Sequence, residues 1–154
     1  LYPLECVALR YFNVYGPHQR YDAYGNVIPI FAHRALRGEP ITIYGDGEQT
    51  RDFVNVRDVA AANLAAARTA GVSGAFNIAS GTRITINRLA DLVVAASGGR
   101  STIRHGDPRK GDVRHSLADI SAARDAFGYA PNVTLEGGLP DYMTWCRDTL
   151  APAG

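Results

Sequence analysis

Excess charge of one sign is absent from this chain. Its 154 residues include 16 basic and 15 acidic side chains, which leave a formal net charge of +1 at pH 7. That balance disfavours binding to nucleic acid or to a membrane surface through bulk charge. The sequence also lacks any apolar run of the ~18–20 residues that a membrane-spanning helix needs. We therefore expect no nucleic-acid partner and no membrane partner.

Cysteine is scarce as well. The chain has two, Cys6 and Cys146, near its opposite ends, and they form no metal-binding spacing. The four histidines share no ligand spacing either, so no metal site is predicted. The simplest interpretation is two buried free thiols in a reducing compartment, which predicts a cytoplasmic location.

What the chain does have is an ordinary globular composition with alternating structural signals. Apolar residues make up 46% of it and charged residues 20%, enough for one region with a real core. Extended segments are predicted at residues 5–12, 41–44, 53–56, 75–79 and 101–104. Helices are predicted at residues 28–36, 59–70 and 86–96. A fourth helix is predicted to end at residue 127, and a fifth to begin at residue 134. This alternation predicts the α/β class.

Local signals also predict where several helices begin or end. Asn55 and Thr85 have side chains that can accept backbone N–H bonds at a helix N-terminus. Gly128 suits a left-handed helix end. Pro140 lies too deep in the last helix to be neutral, so a kink or a late start is expected there.

Two arginines point to a ligand class. Arg51 follows a turn built from Gly45-Asp46-Gly47, and Arg109 lies in a second glycine-containing loop with the sequence RKGD. A guanidinium group is planar and always charged, and it can bind phosphate oxygens in a bidentate way. Two arginines on separate loops therefore suit a diphosphate.

The same residues also have structural interpretations. Arg51 could pair with Asp52 or Asp58 instead of a ligand, and Arg109 could belong to a solvated charge cluster. Asp112 could bond its own backbone. From the residues alone, both kinds of role stay open.

A family resemblance is carried by seven segments. They are residues 10–17 (RYFNVYGP), 27–29 (VIP), 38–40 (GEP), 44–53 (YGDGEQTRDF), 76–81 (FNIASG), 109–112 (RKGD) and 117–121 (LADIS). In their order and spacing the chain resembles the NAD-dependent epimerase/dehydratase family, the extended short-chain dehydrogenases that act on nucleotide sugars. Within that family it is most similar to the UDP-glucose 4-epimerase branch.

The resemblance also implies which part of such a protein this is. The family's N-terminal glycine-rich loop and its catalytic tyrosine and lysine, four residues apart on a helix, have no match in the chain. The expected fold is therefore a C-terminal portion, with the last strands of a Rossmann-type sheet plus a smaller mixed α/β substrate-binding domain. Residues 1–15 and about 53–98 would contribute to the cofactor-domain sheet and its helices, and about 16–52 and 99–150 would form the substrate-binding domain.

Five residues receive roles from the resemblance at the sugar and cofactor end. Asn13 would hydrogen-bond the phosphate or the sugar of the substrate, and Asn26 and Val27 would touch the nucleotide. Tyr11 and Phe12 would lie near the nicotinamide end of NAD. No catalytic residue is expected in this portion, so it should be inactive alone.

Five further residues receive roles at the nucleotide. Thr42 and Tyr44 would flank the uracil, with Tyr44 offering an aromatic face. Arg51 and Arg109 would hold the diphosphate. Asp112 would accept hydrogen bonds from the ribose hydroxyls.

The resemblance implies an activity for the intact enzyme. A UDP-hexose 4-epimerase oxidises the sugar at C4 with NAD and returns the hydride after a 4-keto intermediate. Two alternatives stay open: a nucleotide-sugar decarboxylase or 4,6-dehydratase of the same superfamily, and a non-catalytic module that binds nucleotide sugar. The expected partners are a UDP-sugar and a second protein copy, either in a homodimer or through the exposed edge of the first strand.

Overall fold

The computed structural model describes residues 4–21 and 26–150, and these form eight strands and five helices. Their bounds are β1 Val7–Tyr11, β2 Val14–Tyr15, α1 Val27–Leu36, β3 Ile41–Tyr44, β4 Thr50–Arg51, β5 Val54–Asn55, α2 Val56–Arg68, β6 Gly74–Ile78, β7 Ile84–Thr85, α3 Ile86–Ala96, β8 Ile103–Gly106, α4 Ser121–Phe127 and α5 Leu135–Leu150. The predicted α/β class is confirmed. None of the helices in these two ranges is long and apolar enough to cross a bilayer.

The strands associate in pairs that join distant parts of the chain. β1 lies parallel to β6, β2 to β5 and β3 to β8, while β4 and β7 are antiparallel. Parallel pairing needs long connections, and helices supply them here. Within the described ranges β1 has β6 as its one strand neighbour. Association through the other edge of β1 stays a prediction.

Two hydrophobic cores hold these elements. The first lies among α1, β3, α3 and α5, and the second lies among β6, α2, α4 and the segment between residues 118 and 120. The predicted domain division grouped α3 with the cofactor sheet and α4 with the substrate-binding domain. In the structure α3 packs on α1 and α5, and α4 packs on β6. These packing contacts do not by themselves divide the chain into domains, so the division stays a prediction.

The helix ends follow the capping residues. The Asn55 side chain accepts from the Arg57 backbone N–H at 2.9 Å, so α2 begins at Val56, earlier than the predicted residue 59. Thr85 caps α3 in the same way through the Arg88 N–H. α4 ends at Phe127, and the residue that follows, Gly128, has a left-handed φ of 70°, as predicted.

Two sequence-based expectations fail in part. Cys146 is buried, and burial raises the pKa of its thiol, but Cys6 is exposed. Cys6 lies just before β1 and is fixed there through its backbone, whose N–H donates to Ser73 Oγ at 3.2 Å. α5 begins at Leu135 and runs through Pro140, so the expected late start does not occur.

A close approach between α5 and the β2–β5 strand pair leads to a stability prediction. A Cβ built on Gly138 would overlap the hydroxyl oxygen of Tyr15 and lie 2.6 Å from Asn55 Nδ2. Tyr15 is buried and donates to the Thr134 carbonyl at 3.1 Å, so it cannot move without losing that bond. We expect Gly138→Ala to lower the free energy of unfolding by about 1–3 kcal/mol, measured by urea denaturation.

The neighbouring glycine provides a matched control. Gly137 is exposed on the same helix, and the nearest atom to its added Cβ is Thr134 Oγ1 at 3.2 Å. Gly137→Ala should leave stability unchanged or raise it by up to about 1 kcal/mol, since alanine favours helix. Equal losses in both variants would contradict the packing argument.

Candidate functional site

A cleft of about 240 Å³ opens beside the first core. All eight residues predicted to bind the substrate line it: Asn13, Asn26, Val27, Thr42, Tyr44, Arg51, Arg109 and Asp112. These residues come from five separate segments of sequence, and folding brings them to one surface. Their role in binding stays a prediction, but their convergence is a property of the fold.

Six further lining residues were missed by the sequence analysis. They are Ile30, Phe31, Arg34, Ile43, Gln49 and Ile86. Four of them are apolar, a residue type that periodicity in a sequence associates with a core rather than with a cleft wall. Gln49 donates to the Tyr44 carbonyl at 2.9 Å, a contact that holds the turn between β3 and β4.

Arg51 is held by the loop between β8 and α4. Its Nη1 donates to the carbonyls of Thr50 at 2.9 Å and Val113 at 2.5 Å, and its Nη2 donates to Asp112 Oδ1. The Arg51 side chain is 17% exposed. Three of the five guanidinium N–H donors therefore bond to described residues, which leaves two for a ligand. Neither Asp52 nor Asp58 is the ion-pair partner that the structural interpretation proposed.

Asp112 thus has a protein partner that the sequence did not reveal. Its Oδ1 accepts from Arg51, and its backbone N–H donates to the Arg109 carbonyl at 3.3 Å. Among the described contacts its Oδ2 accepts nothing. One carboxylate oxygen therefore orients Arg51, and the other has no partner among the described residues.

The loop that carries Arg109 and Asp112 is fixed at both ends. Before it, the Gly45 N–H donates to the Gly106 carbonyl at 2.9 Å. After it, Arg114 donates to both carboxylate oxygens of Asp46, at 2.7 and 2.9 Å. The Arg114 guanidinium, with a backbone bond from Glu48, lowers the pKa of the Asp46 carboxyl to about 2. The loop is therefore attached to the turn after β3 at neutral pH.

Tyr44 and Arg109 are in contact with each other. The guanidinium carbon of Arg109 lies 4.3 Å from the centroid of the Tyr44 ring, a cation–π arrangement. The Tyr44 side chain is nevertheless exposed, and Arg109 covers one side of the aromatic face that is predicted to contact the uracil.

Asp52 connects residues of the cleft to the rest of the fold through hydrogen bonds, and this role was not predicted from the sequence. Its side chain is fully buried and accepts from the Ser80 N–H at 2.8 Å, the Ser80 hydroxyl at 2.6 Å, the Gly81 N–H at 3.1 Å and the Ala118 N–H at 3.3 Å. Its carbonyl accepts from Asn13 Nδ2 at 2.8 Å. Asp52 therefore joins β4, which carries Arg51, and Asn13, which lies between β1 and β2, to the second core. Asn13 itself has a φ of 23°, a left-handed value in which asparagine is enriched.

The two residues predicted to contact NAD are not in this cleft. The Tyr11 hydroxyl donates to Asn63 Oδ1 on α2 at 2.9 Å, and the ring is 48% exposed at the carboxyl end of β1. Phe12 is half-buried against the second core. Across residues 4–21 and 26–150, no group of three or more His, Cys, Asp or Glu side chains is placed to hold a metal ion.

Fold and site together define one part of an α/β protein of the extended short-chain dehydrogenase type. The chain belongs to the NAD-dependent epimerase/dehydratase family, whose model matches residues 1–79. The resemblance seen in the sequence is thereby confirmed.

Individual relatives agree with this membership. The structure is similar to that of a UDP-glucose 4-epimerase with UDP-glucose from Thermotoga maritima, with a TM-score of 0.85 and 44% identity over 94% of this chain and 46% of that one. A UDP-glucose 4-epimerase of Mycolicibacterium smegmatis is 34% identical over 148 residues, which are 96% of this chain and 47% of that protein. A UDP-N-acetyl-alpha-D-glucosaminuronate decarboxylase of Bacillus cytotoxicus is 31% identical over 94% of this chain and 47% of that protein. The chain thus spans about half the length of these relatives.

Proposed function

We propose that this chain is the nucleotide-sugar-binding portion of an NAD-dependent UDP-hexose 4-epimerase. The observation that supports this most is the cleft that gathers Arg51, Arg109 and Asp112 beside Thr42 and Tyr44. Two guanidinium groups supply the charge for a diphosphate, and the remaining wall suits a nucleoside.

The contacts within the cleft fit the roles that we propose. Arg51 keeps two N–H donors for phosphate oxygens while Asp112 holds its plane in place. Asp112 Oδ2 remains as an acceptor for a ribose hydroxyl. Arg109 contacts only the Tyr44 ring among the described ion-pair and ring contacts, so its charge is available to the second phosphate.

NAD would fit this chain only at its edge. Tyr11 presents an exposed ring at the carboxyl end of a parallel strand, where ligands of Rossmann-type sheets bind. The described residues offer no glycine-rich strand-to-helix turn for the pyrophosphate of NAD. When bound, NAD supplies the hydride acceptor for the C4 position of the sugar. We propose that this chain contributes the wall near the nicotinamide and no acid or base.

The contribution of the chain to catalysis is then positional. Binding the remote diphosphate fixes the sugar relative to the reacting centre, which lowers the entropic part of the barrier. We favour an epimerase over a decarboxylase because the Thermotoga maritima epimerase is 44% identical to this chain, against 35% and 31% for two decarboxylases among the relatives.

Calorimetry of this chain with UDP, UMP, UDP-glucose and UDP-glucuronate tests the proposal. UDP should bind at least about ten-fold more tightly than UMP, because the second phosphate adds charge-assisted hydrogen bonds of about 1.5–3 kcal/mol each. UDP-glucose should bind at least as tightly as UDP-glucuronate if the portion comes from a hexose epimerase.

Two outcomes would count against the proposal. A clear preference for UDP-glucuronate would contradict a hexose substrate and would fit either a glucuronate decarboxylase or a glucuronate 4-epimerase, both of which occur among the relatives. No heat with UDP at millimolar protein would overturn nucleotide-sugar binding altogether.

A further inference from the structure

One loop supports both of the arginines that we assign to the diphosphate. Arg109 belongs to residues 107–113, the segment that follows β8, which we call the arginine loop. Arg51 lies on β4, outside this loop, but its Nη1 donates to the Val113 carbonyl at 2.5 Å and its Nη2 donates to Asp112. The position of the arginine loop therefore determines where both guanidinium groups lie.

The arginine loop is not packed into the interior. All seven of its residues are exposed, and none of them belongs to either hydrophobic core. A second cavity, of about 290 Å³, is lined both by the loop, through Pro108 and Arg109, and by the turn after β3, through Gly45 and Asp46. Side-chain packing therefore does not fix the loop, and its position depends on how its two ends are attached.

The two ends are attached to different strand pairs. At the first end, the Gly45 N–H, just after β3, donates to the Gly106 carbonyl at 2.9 Å. At the second end, the Thr50 N–H, on β4, donates to the Arg114 carbonyl at 2.9 Å. β3 pairs with β8 and β4 pairs with β7, so in the part of the chain that the structure describes strand pairing does not join β3 to β4.

The Asp46–Arg114 ion pair connects these two ends. Asp46 lies in the turn after β3, Arg114 directly follows the loop, and the guanidinium donates to both carboxylate oxygens, at 2.7 and 2.9 Å. The turn is itself held by α3, because Asn87 Nδ2 donates to the Asp46 carbonyl at 2.9 Å. A bidentate pair restrains orientation as well as distance. It therefore fixes the second end of the loop relative to β3 and α3.

We propose that Asp46 and Arg114 are positioning residues for diphosphate binding. Neither residue lines the cleft. The pair acts through the arginine loop, which it keeps at the place where Arg109 and Arg51 are spaced for a diphosphate. Groups that are already ordered bind more tightly, because less freedom is lost on binding. This inference rests on the proposed nucleotide-sugar function and extends its site to a pair of residues outside the cleft.

Asp46→Asn tests the inference by the sign of its effect. Asp46 lines the second cavity together with Arg109, so its negative charge lies near the proposed phosphate site. If only that charge mattered, its removal would tighten UDP binding. The positioning role predicts the opposite, UDP binding about five-fold weaker or more by calorimetry, because the loop loses its brace. The amide oxygen can still accept from the Glu48 N–H, a bond of 3.0 Å that shapes the turn.

A second variant shows whether the effect belongs to the pair. Arg114→Met should weaken UDP binding at least as much as Asp46→Asn, and the double variant should bind no more weakly than Arg114→Met alone, since either change removes the same contact. UMP binding should weaken by less than about two-fold in each variant, because the loop carries Arg109, assigned to the second phosphate, whereas Arg51 has its own strand. The urea midpoint should not change, since an exposed ion pair contributes little to folding stability.

Asp141→Asn is the matched control. Asp141 is also exposed and pairs with an arginine, Arg57, at 3.0 Å, but it lines neither cavity. The variant should keep UDP affinity within about two-fold of the unaltered chain.

The outcomes separate this inference from the function on which it rests. Unchanged or tighter UDP binding in Asp46→Asn, with UDP still preferred over UMP by the unaltered chain, would overturn the positioning role and leave the proposed function intact. Equal weakening of UDP and UMP, or a lowered urea midpoint, would also overturn it, because the pair would then support the fold in general. Failure of the unaltered chain to bind UDP would overturn both.

Discussion

Replacing Arg51 by methionine should weaken UDP binding by about 100-fold or more. Methionine keeps much of the length of the side chain but removes two N–H donors that we assign to the diphosphate, and charge-assisted bonds contribute about 1.5–3 kcal/mol each. The change also leaves Asp112 without its partner beside the phosphates. Calorimetry with UDP measures the loss directly.

A double-mutant cycle divides that loss between its two causes. If repulsion from an unpaired Asp112 contributes, Arg51→Met combined with Asp112→Asn should bind UDP more tightly than Arg51→Met alone. Arg57→Met is the matched control, because Arg57 also pairs with an aspartate, Asp141 at 3.0 Å, but lies outside the cleft. Affinity within about three-fold of the unaltered chain in Arg51→Met would contradict the assigned role.

The outline of the fold could be predicted because its signals are local. Asn55, Thr85 and Gly128 mark helix ends through contacts with their own neighbours, and each was predicted from sequence. α3 shows where such reasoning stops. Its apolar face is evident from periodicity, but that face fits either core equally well, and only the structure places it against α1 and α5.

The residues that line the predicted part of the cleft could be identified from sequence, but the contacts that orient them could not. The family resemblance supplied all eight predicted binding residues, and the structure brings them together. The contacts that orient them join residues far apart in sequence. The Arg51–Asp112 pair and the Asp46–Arg114 pair depend on how β8 and its following loop lie beside β3 and β4. No spacing in the sequence encodes these contacts.

Asp52 is the clearest case of a residue whose importance only folding reveals. In sequence it is one of 15 acidic residues, next to a more conspicuous arginine. In the structure it is fully buried and accepts four hydrogen bonds, three of them from the backbone. A carboxylate accepts only, and its surroundings here consist of donors. Both terminal atoms of the side chain at this position must therefore be acceptors, which a carboxylate provides.

Asp52→Asn should consequently lower the free energy of unfolding by about 3 kcal/mol or more. The amide is nearly the same size, but its nitrogen carries hydrogens. It therefore cannot accept the hydrogen bonds that the carboxylate oxygen in its place accepts. Each buried donor that loses its partner costs about 1–3 kcal/mol, and the charge assistance of the remaining bonds is lost too. Urea denaturation followed by circular dichroism measures the change.

Asp119→Asn provides the comparison for this prediction. Asp119 is exposed, and its side chain accepts one described backbone bond, from the Ser121 N–H at 2.9 Å. The same chemical change there should cost less than about 1 kcal/mol, since the amide oxygen can keep that bond and water reaches the nitrogen. Asp52 directly follows Arg51, and its backbone carbonyl, which the substitution keeps, accepts from Asn13 Nδ2. A shift of this segment after loss of the side-chain bonds should therefore lower UDP affinity in the Asp52 variant even under conditions where it remains folded. Equal stability losses at the two positions would mean that the four buried bonds contribute no more than one exposed bond, which would refute the role assigned to Asp52.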